Sequence, residues 1–229
     1  EKLIDKKKTK VILINTPSNP TGTVLSKKIL EEISDIAVKY DLWVFSDEAY
    51  EKLIYDKKHV SIGSLNGMED YVVTFQTFSK SYAMCGYRLG YACAPKDLIE
   101  AMTKVGHYIT LAAPTISQLV GLKALQLGNK YTEKMRKEYD KRRKFIVKRL
   151  NEIDLETIMP NGAFYTFSNI KNFNKNSVKF AKELLKKAKV AVVPGSEFGK
   201  CGEGYIRCSY ATEIDKIKIA MDRIERFLE

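Results

Sequence analysis

The 229-residue sequence has no apolar run approaching the roughly 18 residues that a membrane-spanning helix requires, so a membrane partner is not expected. Cysteine is sparse. Cys85, Cys93, Cys201 and Cys208 form no CxxC pair, which argues against both a disulfide framework and a zinc site. Reduced thiols in a cytoplasm are the expectation. Histidine is rarer still: His59 and His107 lie far from each other and from the cysteines. Each reads as a surface or packing residue, no metal is expected, and any catalysis would run without a histidine base. No apolar leader is expected from the opening stretch EKLIDKKKTK, which is polar. It also opens without Met, so its start reads as a cut. Internal repeats and low-complexity segments are absent.

What is abundant is positive charge, with 39 Lys and Arg against 28 Asp and Glu for a net +11. A nucleic-acid partner is one explanation. However, acids interleave with the bases along stretches such as 137–149, and no basic-aromatic motif stands out. A lysine-rich solvated surface is the expectation, with no nucleic acid bound. Anionic substrates and a phosphate-bearing cofactor suit such a protein equally well.

The first part of the chain alternates short apolar strands with amphipathic helices. Val11–Asn15, Leu42–Ser46, Tyr71–Phe75 and Leu89–Ala94 read as strands. Between the first two, Ser26 is placed to cap a helix with Ile29, Ile33, Ile36, Ala37 and Tyr40 on one face. This order predicts a largely parallel sheet covered by helices, with ligands at the carboxyl ends of the strands. Helical patterns continue at 97–108, 114–127 and 130–153. The remainder mixes strands near 163–168, 190–194 and 205–210 with helices near 177–188 and 213–228. Thr212 and Asp215 have the spacing of a capping box for the last helix. Two domains are expected: residues 1–130, and a smaller α+β domain at 131–229 entered along the long helix.

Four segments carry chemistry. NTPSNPTG (15–22) comes directly after a strand and reads as a turn, or as a loop in which Asn19 offers an amide to a ligand oxygen. FSDEAY (45–50) places Asp47 at a strand end, either capping the next helix or facing a cationic nitrogen, with the Tyr50 phenol three residues on. TFQTFSKSYAMCGYRLGY (74–91) runs a strand into Thr77, Ser79 and Lys80, with Arg88 eight residues after the lysine. A lysine drawn into such surroundings loses its proton more easily and becomes a nucleophile, while Thr77 and Arg88 would make a small anion cup. YIRCSYA (205–211) sets one arginine, Arg207, in an apolar strand. That arginine needs either an acidic partner or a carboxylate ligand.

In this order and spacing, NPTG, DEAY, SK with Arg at +8, GAFY, VVPGSEFG and RxSYA resemble the class I/II aminotransferases among the fold-type-I pyridoxal-phosphate enzymes. The resemblance covers nearly the whole chain, as a C-terminal portion of an aspartate- or aromatic-type enzyme. It implies an α/β PLP-transferase fold, with a partial large domain built on a mainly parallel sheet and a smaller C-terminal domain. Position by position, Lys80 matches the Schiff-base lysine and general base, and Asp47 the partner of the pyridine nitrogen. Asn19 and Tyr50 match the donors to the ring oxygen, Thr77 and Arg88 the phosphate ligands, and Arg207 the clamp on the substrate α-carboxylate. Catalytic roles thus fall on Lys80, Asp47 and Tyr50, and pyridoxal 5′-phosphate is the expected cofactor. The family's Gly-rich phosphate loop, stacking aromatic and dimer-crossing residues have no counterpart here. The implied activity is transamination between an L-amino acid, with aspartate the best match, and 2-oxoglutarate. The full-length protein is expected to be a cytoplasmic homodimer. A lyase or synthase of the same fold and a non-catalytic sensor domain remain open as alternatives.

Overall fold

The computed structural model describes residues 1–229. The chain divides into two compact units, one of residues 1–17 and 24–133, the other of residues 18–23 and 134–229.

In the first unit, strands β1 (Val11–Asn15), β2 (Trp43–Asp47) and β3 (Val72–Thr77) pair in parallel. Strand β4 (Gly90–Cys93) closes the sheet antiparallel to β3. Helix α1 (Lys27–Tyr40) crosses from β1 to β2. Ser26 caps it through the Ile29 amide, and Asp41 ends it in the left-handed conformation. Its buried Leu30 and Ala37 pack with Ile14, Val44, Ile62, Met68 and Val72. Burial of these aliphatic side chains removes apolar surface from water and fixes the helix over one face of the sheet. A single turn, α2 (Phe78–Ser81), comes after β3. Helices α3 (Lys96–Thr110) and α4 (Thr115–Gln126) come after β4 and leave Tyr108, Ile109, Ile116 and Leu119 exposed.

Helix α5 (Lys130–Glu152) leads into the second unit. There, strands β5 (Tyr165–Asn169), β6 (Val193–Pro194) and β7 (Tyr205–Ser209) form an antiparallel sheet in the order β5-β7-β6. Helices α6 (Ser177–Ala188) and α7 (Ile214–Leu228) complete it. The periodic apolar positions of α5 and α7, among them Ile146, Leu150, Ile217, Met221 and Ile224, are buried as a helical stripe requires.

Two expectations need correction. The Thr212–Asp215 capping box does not form. Helix α7 starts one residue later, with Glu213 at the cap position and no side-chain cap bond, and Asp215 instead meets the Lys218 ammonium at 3.0 Å. The charged face of α5 is not solvated throughout. Arg143 is 1 % exposed, donating Nη1 to the Pro160 carbonyl at 2.7 Å and facing Asp140 at 2.7 Å. An arginine can be enclosed there because both ends of its fork meet oxygen. By compactness, residues 18–23 group with the second unit.

All four cysteines are free, and only Cys208 is buried. Burial pushes its thiol up to about 11, so almost no thiolate exists near neutral pH. Cys85, Cys93 and Cys201 are therefore expected to react with a disulfide reagent at pH 8 in the folded protein. Cys208 should react only after denaturant is added, giving one extra thiol in a simple count; a fourth fast thiol in buffer would contradict the burial.

Candidate active site

The first unit gathers its polar motif residues at one sheet edge. Parallel register sets Asn15 opposite Asp47 and Asp47 opposite Phe75, two residues before the end of β3. Adjacent strands lie about 4.8 Å apart, so the carboxyl ends of β1, β2 and β3 form a compact row. The ends are also stitched together. The Asp47 carbonyl accepts from the Thr16 amide at 3.1 Å and from Asn15 Nδ2 at 3.1 Å.

Asp47 is half-buried, and its Oδ1 accepts the Ala49 amide at 3.1 Å. No Lys or Arg of the chain forms an ion pair with it. A partly enclosed carboxylate without a cation beside it is a natural partner for a cationic ligand nitrogen. Tyr50, 4 % exposed, sits in the turn directly after. From the adjacent strand, Thr77 Oγ1 accepts the Ser79 amide at 3.1 Å and donates to the Leu89 carbonyl at 3.3 Å. Lys80 lies half-buried within α2, three residues beyond the end of β3. Arg88 has a left-handed backbone, with φ of 52°, and is exposed, with Nη1 on the Cys85 carbonyl at 3.0 Å. Thr77 faces Gly90 across the β3–β4 pair, which brings Arg88 within two residues of that point.

Sequence reasoning missed a buried cluster beneath this edge. Glu48 is 1 % exposed and takes hydroxyl donors from Ser46 at 2.9 Å and Ser61 at 2.8 Å. His59 Nε2 lies 2.7 Å from its other oxygen. His59, expected as a surface or packing residue, packs half-buried with a polar partner that its isolation in the sequence did not announce. Its imidazole is recruited because a buried carboxylate needs donors. Strand alternation was the available signal, since it puts Glu48 on the same side as the apolar Val44.

The second unit holds the other two predicted residues. Arg207 Nη1 donates to Asn19 Oδ1 at 2.7 Å. The guanidinium lies over the Tyr165 ring at 4.3 Å and the Phe198 ring at 4.9 Å, a sandwich that uses its planar cation. Its Nε is buried with no partner, and no Asp or Glu forms an ion pair with it. The acidic partner that an arginine in this strand would otherwise need is missing, and an anionic ligand suits the gap. Asn19 reaches Arg207 because Gly22, with φ of 67°, turns the 18–23 loop against the second unit, where its carbonyl accepts the amides of Asn161 at 3.0 Å and Gly162 at 2.9 Å.

Comparison with known proteins gives the family. Residues 1–224 match the family model described as aminotransferase class I and II. The chain belongs to that family. It is 53 % identical over 224 residues to an aspartate aminotransferase of Pyrococcus abyssi, covering 96 % of this chain and 58 % of that protein. It is 48 % identical over 225 residues to aromatic-amino-acid aminotransferase 2 of Thermococcus litoralis, covering 97 % and 58 %. Among solved structures, the aromatic aminotransferase of Pyrococcus horikoshii OT3 superposes with a TM-score of 0.96 at 51 % identity, over 99 % of this chain and 61 % of that one. Thermus thermophilus aspartate aminotransferase with maleate gives 0.93 at 36 % identity, over 98 % and 58 %. The chain thus spans a little over half the length of these relatives. With the mixed sheet of the first unit, these neighbours establish an α/β fold of the fold-type-I kind, present in part.

A Cβ at Gly22 would collide with the Pro160 side chain and lie 2.7 Å from the Gly162 carbonyl, at a φ that L residues resist. Gly22→Ala is expected to lower unfolding free energy by about 2–4 kcal/mol, read as a lower urea midpoint at unchanged slope. An unchanged midpoint would contradict the loop placement that holds Asn19 against Arg207.

Proposed function

We propose that this chain carries the lysine-bearing part of a pyridoxal-phosphate-dependent aminotransferase that moves an amino group between an L-amino acid and a 2-oxo acid. The observation that carries the reading is the row of strand ends. It sets Asp47, half-buried and without a cationic partner, one strand from the β3 end that leads into Lys80. The donor set fits the cofactor. The first unit offers a carboxylate for a ring nitrogen, a phenol for a ring oxygen, a hydroxyl with a guanidinium for a phosphate, and an amine for an aldehyde. The residues of that unit that would hold the group are Lys80, Asp47, Tyr50, Thr77 and Arg88. When bound, the group supplies an electron sink for the negative charge left at the substrate α-carbon.

The protein's own share is orientation and proton handling. Asp47, whose carboxylate has no competing cation, would face the ring nitrogen and hold a proton there. Lys80 Nζ would hold the aldehyde group and, once displaced by the substrate amine, would act as the base that takes and returns the α-proton. Arg207 grips the substrate α-carboxylate, with Asn19 fixing one prong of its fork and the flanking rings holding its plane. Preset donors of this kind act without reorganising when charge develops. Aspartate with 2-oxoglutarate is the proposed pair, supported by the aspartate aminotransferases among the relatives. A homodimer is part of the proposal, and the exposed apolar side chains of α3 and α4 favour a covered state of that face. A reducing compartment such as the cytoplasm suits the free thiols.

Aspartate and 2-oxoglutarate supplied to the holoenzyme should yield glutamate, with a matching change in cofactor absorbance. Lys80→Ala should abolish turnover, and ammonia or sulfide release in place of glutamate would contradict transamination in favour of a lyase. Arg207→Lys should raise KM for the amino acid at least tenfold, because an ammonium cannot reproduce the two-pronged contact. An unchanged KM would overturn the clamp.

A further inference from the structure

Glu48 is the residue directly after Asp47, and strand alternation sends the two side chains to opposite faces of the sheet. Asp47 is tied through its side chain to the Ala49 amide alone, so its direction is inherited from the backbone beneath it. That backbone is pinned from the other side. Glu48 Oε1 accepts both Ser46 and Ser61 hydroxyls, and Oε2 meets His59 Nε2 at 2.7 Å. Three donors thus converge on a carboxylate enclosed from solvent, as a buried polar group requires. His59 Nδ1 is buried with no partner, so the contact with Glu48 is the imidazole's one polar tie. A bare ring nitrogen is less costly to bury than an unmade N–H, which favours the tautomer donating from Nε2. Glu51 brings a second carboxylate close by, and Lys52 neutralises it at 3.2 Å. The Glu48 main chain is fixed as well, its amide on the Phe75 carbonyl at 3.0 Å and its carbonyl taking the Glu51 amide at 2.9 Å. The turn bearing Tyr50 therefore starts from a residue held at every polar atom.

We propose that Glu48 is a positioning residue for the reaction: with Ser46, Ser61 and His59 it braces the strand end from which Asp47 and Tyr50 project. The inference rests on the function proposed above for Asp47 and Tyr50. Residues 59–61 become a working part of the site although none of them touches substrate. His59 acts as the polar stop on a carboxylate that would otherwise be short of donors.

The test compares wild type with Ser61→Ala, which deletes one donor, and Glu48→Gln, which keeps the volume but removes the charge. His107→Asn, an exposed change on α3, is the control. Each protein is mixed with pyridoxal phosphate and monitored by amide hydrogen exchange, by the pH midpoint of the visible cofactor band, and by kcat and KM. Exchange at residues 49–53 should quicken about tenfold in both hub variants while the amides of α6 and α7 hold their rates. The band midpoint should move, and kcat should fall about tenfold with KM within about twofold, the pattern of a misaimed group rather than a lost substrate contact. Unchanged exchange at 49–53 would overturn the brace. Faster exchange with an unmoved midpoint and unchanged kcat per bound cofactor would overturn the positioning role. A wild-type protein that forms no visible band contradicts the proposed function instead, and the exchange data still sustain or overturn the brace.

Discussion

The parallel pairing of β1, β2 and β3 is the constraint on which the rest depends. The register of Asn15 with Asp47, and of Asp47 with Phe75, decides which side chains leave the sheet at the same level. Slipping β2 by one residue would send Asp47 into the face now filled by Ser46 and Glu48, because side chains alternate with period two. Register is secured on two scales. Burial of Ile14, Val44 and Val72 against α1 fixes which face is inward, and the bonds from Thr16 and Asn15 to the Asp47 carbonyl fix where the strands stop. The chemistry at the edge uses what those two choices leave exposed.

Charge handling in the two units obeys one rule with opposite outcomes. Glu48 and Arg143 are enclosed, and each meets oppositely polarised groups: the Glu48 carboxylate takes two hydroxyls and an imidazole, and the two Nη atoms of Arg143 meet a carbonyl and a carboxylate. Asp47 and Arg207 are partly enclosed and lack an ion-pair partner. A structural ion is closed by its neighbours, whereas a ligand-directed one is left open on the side a ligand approaches. By that criterion the first unit offers a negative site and the second a positive one, which suits a cationic ring nitrogen and a substrate carboxylate respectively.

Much of this was legible in the residues themselves. The strand and helix order and the Ser26 cap come from period and turn chemistry, which are local signals, whereas Asp47, Thr77, Lys80 and Arg207 stood out as candidates by their places at strand ends and drew their expected roles from the family resemblance. The misses were tertiary. Thr212 has the right spacing for a cap, but α7 begins at Ile214, and a cap depends on the chain's entry angle as well as its letters. Arg143 sits among solvated charges in sequence, and only the returning Pro160 carbonyl makes its burial tolerable. His59 gave no sign of its partner because Glu48 is eleven residues away and reaches it through a loop. The segment 18–23 reads as a turn in either unit, and Gly22 commits it to the second through bonds with Asn161 and Gly162 that no local pattern announces.

The central claim is that one lysine among many is set apart by the strand edge that leads to it. Reductive trapping tests it most directly. The protein is incubated with pyridoxal phosphate, treated with borohydride, digested and mapped by mass spectrometry. The account predicts that labelling concentrates on the peptide containing Lys80, at about one group per chain, before the surface lysines are modified. Labelling scattered over the exposed lysines, with Lys80 no more reactive than the rest, would contradict it.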